Sequence, residues 1–246
     1  MEHIQLDGIF RDFGDFGNIF NLALLRIVPA LLCITIHELA HGYTAYKLGD
    51  NTAKNLGRLT LNPIKHIDPM GLLMMLVIGF GWAKPVPVDM RNFKRPKWYM
   101  AITALAGPLS NIILAAIVMF ILGLVITSLG FTQDATTGAF LFETTVGSTI
   151  FSIIRNTILL SIALAVFNML PIPPLDGSKI VFSLLPENLY YKLMRYERFG
   201  MIFLIAIMAS RFLFNIDILG MTIWPAAMAI DNYLTFLFTL GFNLVN

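Results

Sequence analysis

The chain has 246 residues, 57% hydrophobic and only 13% charged, with a mean hydropathy of +0.75 and a net charge of +2. So few charges, clustered between long apolar runs, cannot cover a soluble domain of this size, and they offer no basic face for nucleic acid. A single cysteine, Cys33, excludes an internal disulfide and a cysteine-rich metal site.

The N-terminal MEHIQLDGIF carries acids and no basic cluster before a short apolar core, so it does not read as a cleavable signal peptide. A hydrocarbon core of about 30 Å takes about 20 helical residues to cross. The first such run covers 19–46, interrupted by Arg26 and open to a bend at Pro29. Cys33 within it is expected to be a packed core thiol. The apolar piece MGLLMMLVIGFGW, 70–82, is too short to cross unaided, and its glycines and the prolines after it predict a re-entrant or hairpin segment. A basic loop with Lys84, Arg91, Lys94, Arg95 and Lys97 leads to a long span at 98–129. A connection containing Asp134 and Glu143 follows, then a span over 149–170 that ends in NMLPIPPLDG. The charged, amphipathic stretch 178–200 should lie at the membrane surface, and two apolar stretches, 199–214 and 218–240, close the chain. The expected fold is an all-α polytopic membrane protein, with about five transmembrane helices and a re-entrant or β-hairpin segment around 70–88. No connection is long enough for a separate soluble domain. The expectation is therefore one integral-membrane unit over 1–246, with a core at about 19–180 and flanking helices at about 199–240.

Lys and Arg set the orientation. The loops 47–97 and 179–198 are rich in them, whereas the N-terminal segment and 130–148 are not. The first two are expected in the cytoplasm and the N-terminus outside. Two polar motifs, HELAH and LDG, then both fall on the cytoplasmic side of their spans.

HELAH carries the chemistry. His37 and His41, four apart on a helix, share a face and can offer imidazoles to one ion, and Glu38 beside them can reach a water on that metal. Zinc lowers the pKa of bound water from 15.7 to about 7, so a glutamate can take the proton. A five-residue pattern also arises by chance on surface helices, but ionisable groups in a membrane helix are costly and point to function. Hydrolytic zinc usually takes three protein ligands. His3 sits on the predicted outer side, and His66 reads as an interfacial histidine. Asp176 closes NMLPIPPLDG, where Pro171, Pro173 and Pro174 forbid a regular helix and Gly177 permits close backbone approach. An ordinary Pro-rich loop with an Asp turn remains the alternative there.

HELAH and NMLPIPPLDG together, with GWAKPVPVD (81–89) and AGPLSN (106–111) in between, strongly resemble the site-2 protease family of intramembrane zinc metalloproteases. The resemblance spans about 30–180. It implies one Zn2+ per chain held by His37, His41 and Asp176, with Glu38 as general base. It also implies that Asn168 points into the site to polarise the scissile carbonyl or hold the oxyanion; the residue alone reads equally as an interhelical hydrogen-bonding group. GWAKPVPV suits an extended edge strand lining a protein cavity, and Val86, Pro87 and Val88 are the expected substrate-binding positions, capturing an unwound segment by strand addition. AGPLSN reads as close helix packing at Gly107. The short loops leave no room for the PDZ or CBS modules of larger relatives, so a minimal form is expected. Asp231 is expected at a helix interface.

Other chemistries fit poorly. A rhomboid-type site wants GxSG and a presenilin-type site GxGD; the nearest stretches are VGSTI, DGSKI and KLGD. Four histidines are too few for a membrane di-iron oxidase. The expected activity is peptide-bond hydrolysis in or near a transmembrane segment, at the cytoplasmic side of the cell membrane. The expected partners are the lipid bilayer and a single-span substrate or signal-peptide remnant. The alternative is a non-catalytic metal-binding membrane scaffold or transporter, which would keep the ligands without needing Glu38.

Overall fold

The computed structural model describes residues 23–78, 81–133 and 140–245. His3, the start of the first predicted span and Asp134 lie outside them, as does the side chain of Arg211. Eight α-helices are found among the described residues: α1 Val28–Lys47, α2 Thr52–Asn55, α3 Pro69–Ile78, α4 Pro96–Val125, α5 Thr145–Asn168, α6 Asp176–Ser183, α7 Glu187–Phe214 and α8 Ile218–Val245. Among the described residues, sheet is confined to an antiparallel pair, β1 Phe131–Gln133 and β2 Phe140–Phe142, in the connection before α5.

Among the described residues, four helical stretches are long and apolar enough to cross a bilayer: Leu24–Lys47, Pro96–Val125, Thr145–Asn168 and Ile218–Val245. This is the all-α polytopic architecture expected. The fifth apolar stretch is not a separate helix, because the charged surface segment runs straight into it as α7. Within α7 the residue least suited to helix is Gly200, at a cost of about 1 kcal/mol.

The central element is α4. At 30 residues it is about 45 Å long, and α1, α5, α6 and α8 all pack against it. Ile102, Leu105, Leu109, Ile113, Ile117 and Ile121 recur at helical spacing along it, yet all are exposed. Such an apolar stripe fits lipid rather than water. The opposite face packs Ala115, Met119, Leu122 and Ile126 against Ile158, Ile162, Ala227 and Leu234 of α5 and α8. Glycines let α4 and α8 touch backbone to backbone: a Cβ on Gly123 would stand 2.2 Å from the Phe238 carbonyl oxygen, and one on Gly241 2.4 Å from that of Phe120. Between α5 and α8, Arg155 Nη1 and Nη2 donate to the two Asp231 carboxylate oxygens at 2.7 and 2.5 Å. Asp231 thus sits at the helix interface expected for it. Cys33 is buried in α1, its thiol donating to Thr157 O at 3.5 Å.

The 70–88 region is a helix followed by a returning extended chain rather than a β-hairpin. At ten residues α3 is too short to cross. The chain comes back beside the segment preceding it, with an isolated bridge pairing Ile67 and Ala83 and the Lys84 N–H donating to His66 O at 3.0 Å. Prolines at 85 and 87 explain the shape: each denies a sheet its donor, and each pushes the residue before it into extended backbone.

Candidate metal centre and active site

One turn of α1 presents His37 and His41, and α6 opens on Asp176 just beyond the PIPP loop. Gly177 lets α6 start against the end of α5, since a Cβ there would lie 2.2 Å from Met169 O. Because α1 and α6 both pack on α4, the two distant motifs converge. His37 Nε2 and His41 Nε2 are 3.0 Å apart, and Asp176 Oδ2 lies 3.2 Å from the first and 3.1 Å from the second. Ligands on a tetrahedral zinc, with bonds of about 2.0–2.1 Å, stand roughly 3.3–3.4 Å apart. These three atoms therefore nearly form one face of such a tetrahedron, and the group could hold one metal ion.

The groups that orient the imidazoles come from α4. His41 Nδ1 lies 2.7 Å from Thr103 O, which can only accept, so the ring proton sits on Nδ1 and Nε2 keeps its lone pair for an ion. His37 Nδ1 lies 3.3 Å from Asn111 Nδ2, while Asn111 Oδ1 is buried with no partner among the described residues. Ligation through His37 Nε2 puts a proton on Nδ1, and a half-turn of the Asn111 amide brings Oδ1 round to accept it. The Asn111 backbone carbonyl accepts from Ser161 Oγ at 2.8 Å, which pins this turn of α4 to α5. Gly107, between Thr103 and Asn111, has to be glycine: a Cβ there would stand 2.3 Å from His41 Nε2 and 2.7 Å from His37 Cε1. AGPLSN is thus a site of close packing, as expected, and what packs against it is the histidine pair. Asn111 and the Thr103 carbonyl were not singled out by the sequence. The only signal for the first was its place in AGPLSN; a backbone carbonyl leaves none.

Glu38 Oε2 accepts from the Val86 N–H at 2.7 Å, so the carboxylate beside the histidines touches the extended segment directly. Buried Asp50 anchors that segment, with Oδ2 accepting from Asp89 N at 2.8 Å and Oδ1 from Asn92 Nδ2 at 2.7 Å and Thr52 N at 3.0 Å. At the other end, Arg58 Nη2 donates to Lys84 O at 2.8 Å. Asp50, in KLGD, was weighed in the sequence only as a rival catalytic motif; it is a tether. Around the three converging ligands lies a cavity of about 400 Å³, lined among others by Glu38, Val86, Val88 and Asn168. Pro87 is half-buried in the same segment. Asn168 Nδ2 donates to Leu164 O at 3.0 Å, leaving one of its two amide hydrogens for the cavity. His66 is buried, with Nε2 2.9 Å from Thr60 O, and it stands apart from the ligand group.

A model of Peptidase family M50 matches residues 26–213. The protein named Putative zinc metalloprotease YwhC, from Bacillus subtilis, is 46% identical over 176 residues, covering 72% of this chain and 76% of its own. Putative zinc metalloprotease Rip2 of Mycolicibacterium smegmatis is 30% identical over 158 residues, covering 63% of this chain and 54% of its own. The protein of the same name from Mycobacterium tuberculosis is 26% identical over 188 residues, covering 75% of this chain and 66% of its own. No solved structure matches the chain. With the family match running through both motifs and the apolar helices around them, the chain belongs to Peptidase family M50, the zinc metalloproteases of site-2 protease type.

Proposed function

We propose that this protein is an intramembrane endopeptidase that hydrolyses a peptide bond in or near the transmembrane segment of a membrane-protein substrate. His37, His41 and Asp176 hold one Zn2+, and Glu38 is the general base. The observation that carries this reading is the convergence of the three ligand atoms within 3.0–3.2 Å of one another beside a glutamate that borders the same cavity.

Bound zinc supplies Lewis-acid polarisation of the attacking water and the scissile carbonyl. The chain's own residues do the rest. Thr103 O and Asn111 hold the imidazoles in the tautomer that leaves Nε2 free. Glu38 accepts the proton of the attacking water and returns it to the departing amine. The free amide hydrogen of Asn168 donates to the oxyanion that develops on the substrate carbonyl. Val86, Pro87 and Val88 offer an extended edge along which an unwound substrate segment can lie. A substrate with a single span, or a signal-peptide remnant, is small enough to enter laterally. The site faces the cytoplasm and the N-terminus lies outside, a reading that the Lys/Arg-rich loops support. Residues 1–246 act as one membrane-embedded unit.

Glu38→Gln is the decisive variant. Metal analysis of the purified protein, beside cleavage of a panel of single-span substrates, should find zinc retained and turnover reduced by at least about 100-fold. Zinc retained with unchanged biological activity would instead establish a metal-binding scaffold or transporter.

A further inference from the structure

The hydrogen bond between Glu38 and Val86 links the base to the strand it works beside. Between Lys84 and Asp89 the backbone has few donors to offer. Pro85 and Pro87 have none, Lys84 N is committed to His66 O, and Asp89 N to Asp50. That leaves Val86 and Val88. Two apart on an extended chain, they point their N–H groups to one edge, and both line the cavity. Val88 N has no partner among the described residues, whereas Val86 N is held by Glu38 Oε2 at 2.7 Å. A strand adding along this edge therefore meets one free donor and one held by the carboxylate that must act next.

We propose that substrate capture and release of the catalytic base are a single event: an incoming substrate carbonyl takes the Val86 N–H from Glu38, and the freed carboxylate turns to the water. The inference rests on the protease reading above. Only a hydrogen bond is exchanged, so no covalent bond changes in this step. Its consequence is selectivity by conformation. A peptide long enough to pair with the edge frees the base, whereas one too short to reach Val86 leaves it engaged. Hydrolysis is thereby confined to segments already unwound and laid along the strand.

Binding to inactive protein tests this without turnover. Glu38→Gln keeps an oxygen that can hold Val86 N, and Glu38→Ala removes it. The full-length, zinc-loaded variants in detergent are titrated with an extended peptide of about ten residues and with a blocked tripeptide of the same central sequence. Glu38→Ala is expected to bind the extended peptide about three- to tenfold more tightly than Glu38→Gln, the worth of one hydrogen bond, while the tripeptide binds both equally. Glu38→Asp, one methylene too short to reach Val86, is the second variant and should side with Glu38→Ala. Equal affinities for the extended peptide, or the same ratio for both peptides, overturn the inference. If wild type still cleaves the extended peptide, the protease reading survives that result; if zinc-loaded wild type cleaves nothing, that reading itself falls.

Discussion

At the site, identity matters most where a side chain sets the orientation of another. Asn111 touches no reacting atom, yet it faces the far nitrogen of His37 from inside α4. Loss of such an outer partner typically weakens metal affinity by about 10–100-fold. Asn111→Ala should therefore bind zinc that much more weakly in chelator competition, with activity recovering as zinc is added. Gly107→Ala is expected to be harsher. Its new methyl would stand 2.3 Å from His41 Nε2 and 2.7 Å from His37 Cε1, so the ligand rings themselves would have to turn aside. That variant should fold without stoichiometric zinc, which metal analysis would detect, and excess zinc should not rescue it.

Among elements, the relation between α1 and the extended 84–89 segment decides where a substrate would lie. Asp50 fixes it, joining the end of the HELAH helix to Asp89 and Asn92. Asp50→Ala should leave zinc bound, because no ligand moves, while cleavage falls about tenfold or more as the edge loses its register to Glu38. Burial pushes the Asp50 carboxyl up, but its bonds to Thr52, Asn92 and Asp89 outweigh this and lower it. A carboxyl lowered by folding stabilises the native state above its unfolded pKa of about 3.9, and that support is lost as pH falls through the lower folded value. Wild type should accordingly outlast Asp50→Asn at neutral pH and converge with it below about pH 4, as followed by thermal unfolding across pH.

For the molecule as a whole, α4 is the post on which α1, α5, α6 and α8 are mounted, and a charge pair ties two of them together. Arg155 and Asp231 join α5 to α8, with the aspartate side chain 10% and the arginine 32% exposed. Removing one partner strands a charge among apolar helices. Asp231→Leu should lower stability in detergent by about 1–3 kcal/mol, the exposure of the arginine moderating the loss. The double variant Arg155→Leu/Asp231→Leu should regain much of it, since an apolar pair of similar bulk leaves no charge behind. Unfolding midpoints of the two variants would show whether the second substitution rescues the first.

Span lengths, loop charges and the HELAH motif are local properties, so the polytopic helical class and the candidate ligands His37 and His41 were readable from residue order alone, whereas Asp176 read equally as an Asp turn and joined them only through the family resemblance. Hydrophobic runs must be helical in lipid because every backbone group has to find its partner within the segment. What the order of residues did not contain was which distant groups would meet. The Thr103 carbonyl beside His41, the Asn111 amide beside His37, the Asp50 tether and the grip of Glu38 on Val86 N each join segments separated by dozens of residues. A hydrogen bond forms across 3 Å of space regardless of how much chain lies between its ends, and only the packing of α1 and α6 on α4 brought those ends together.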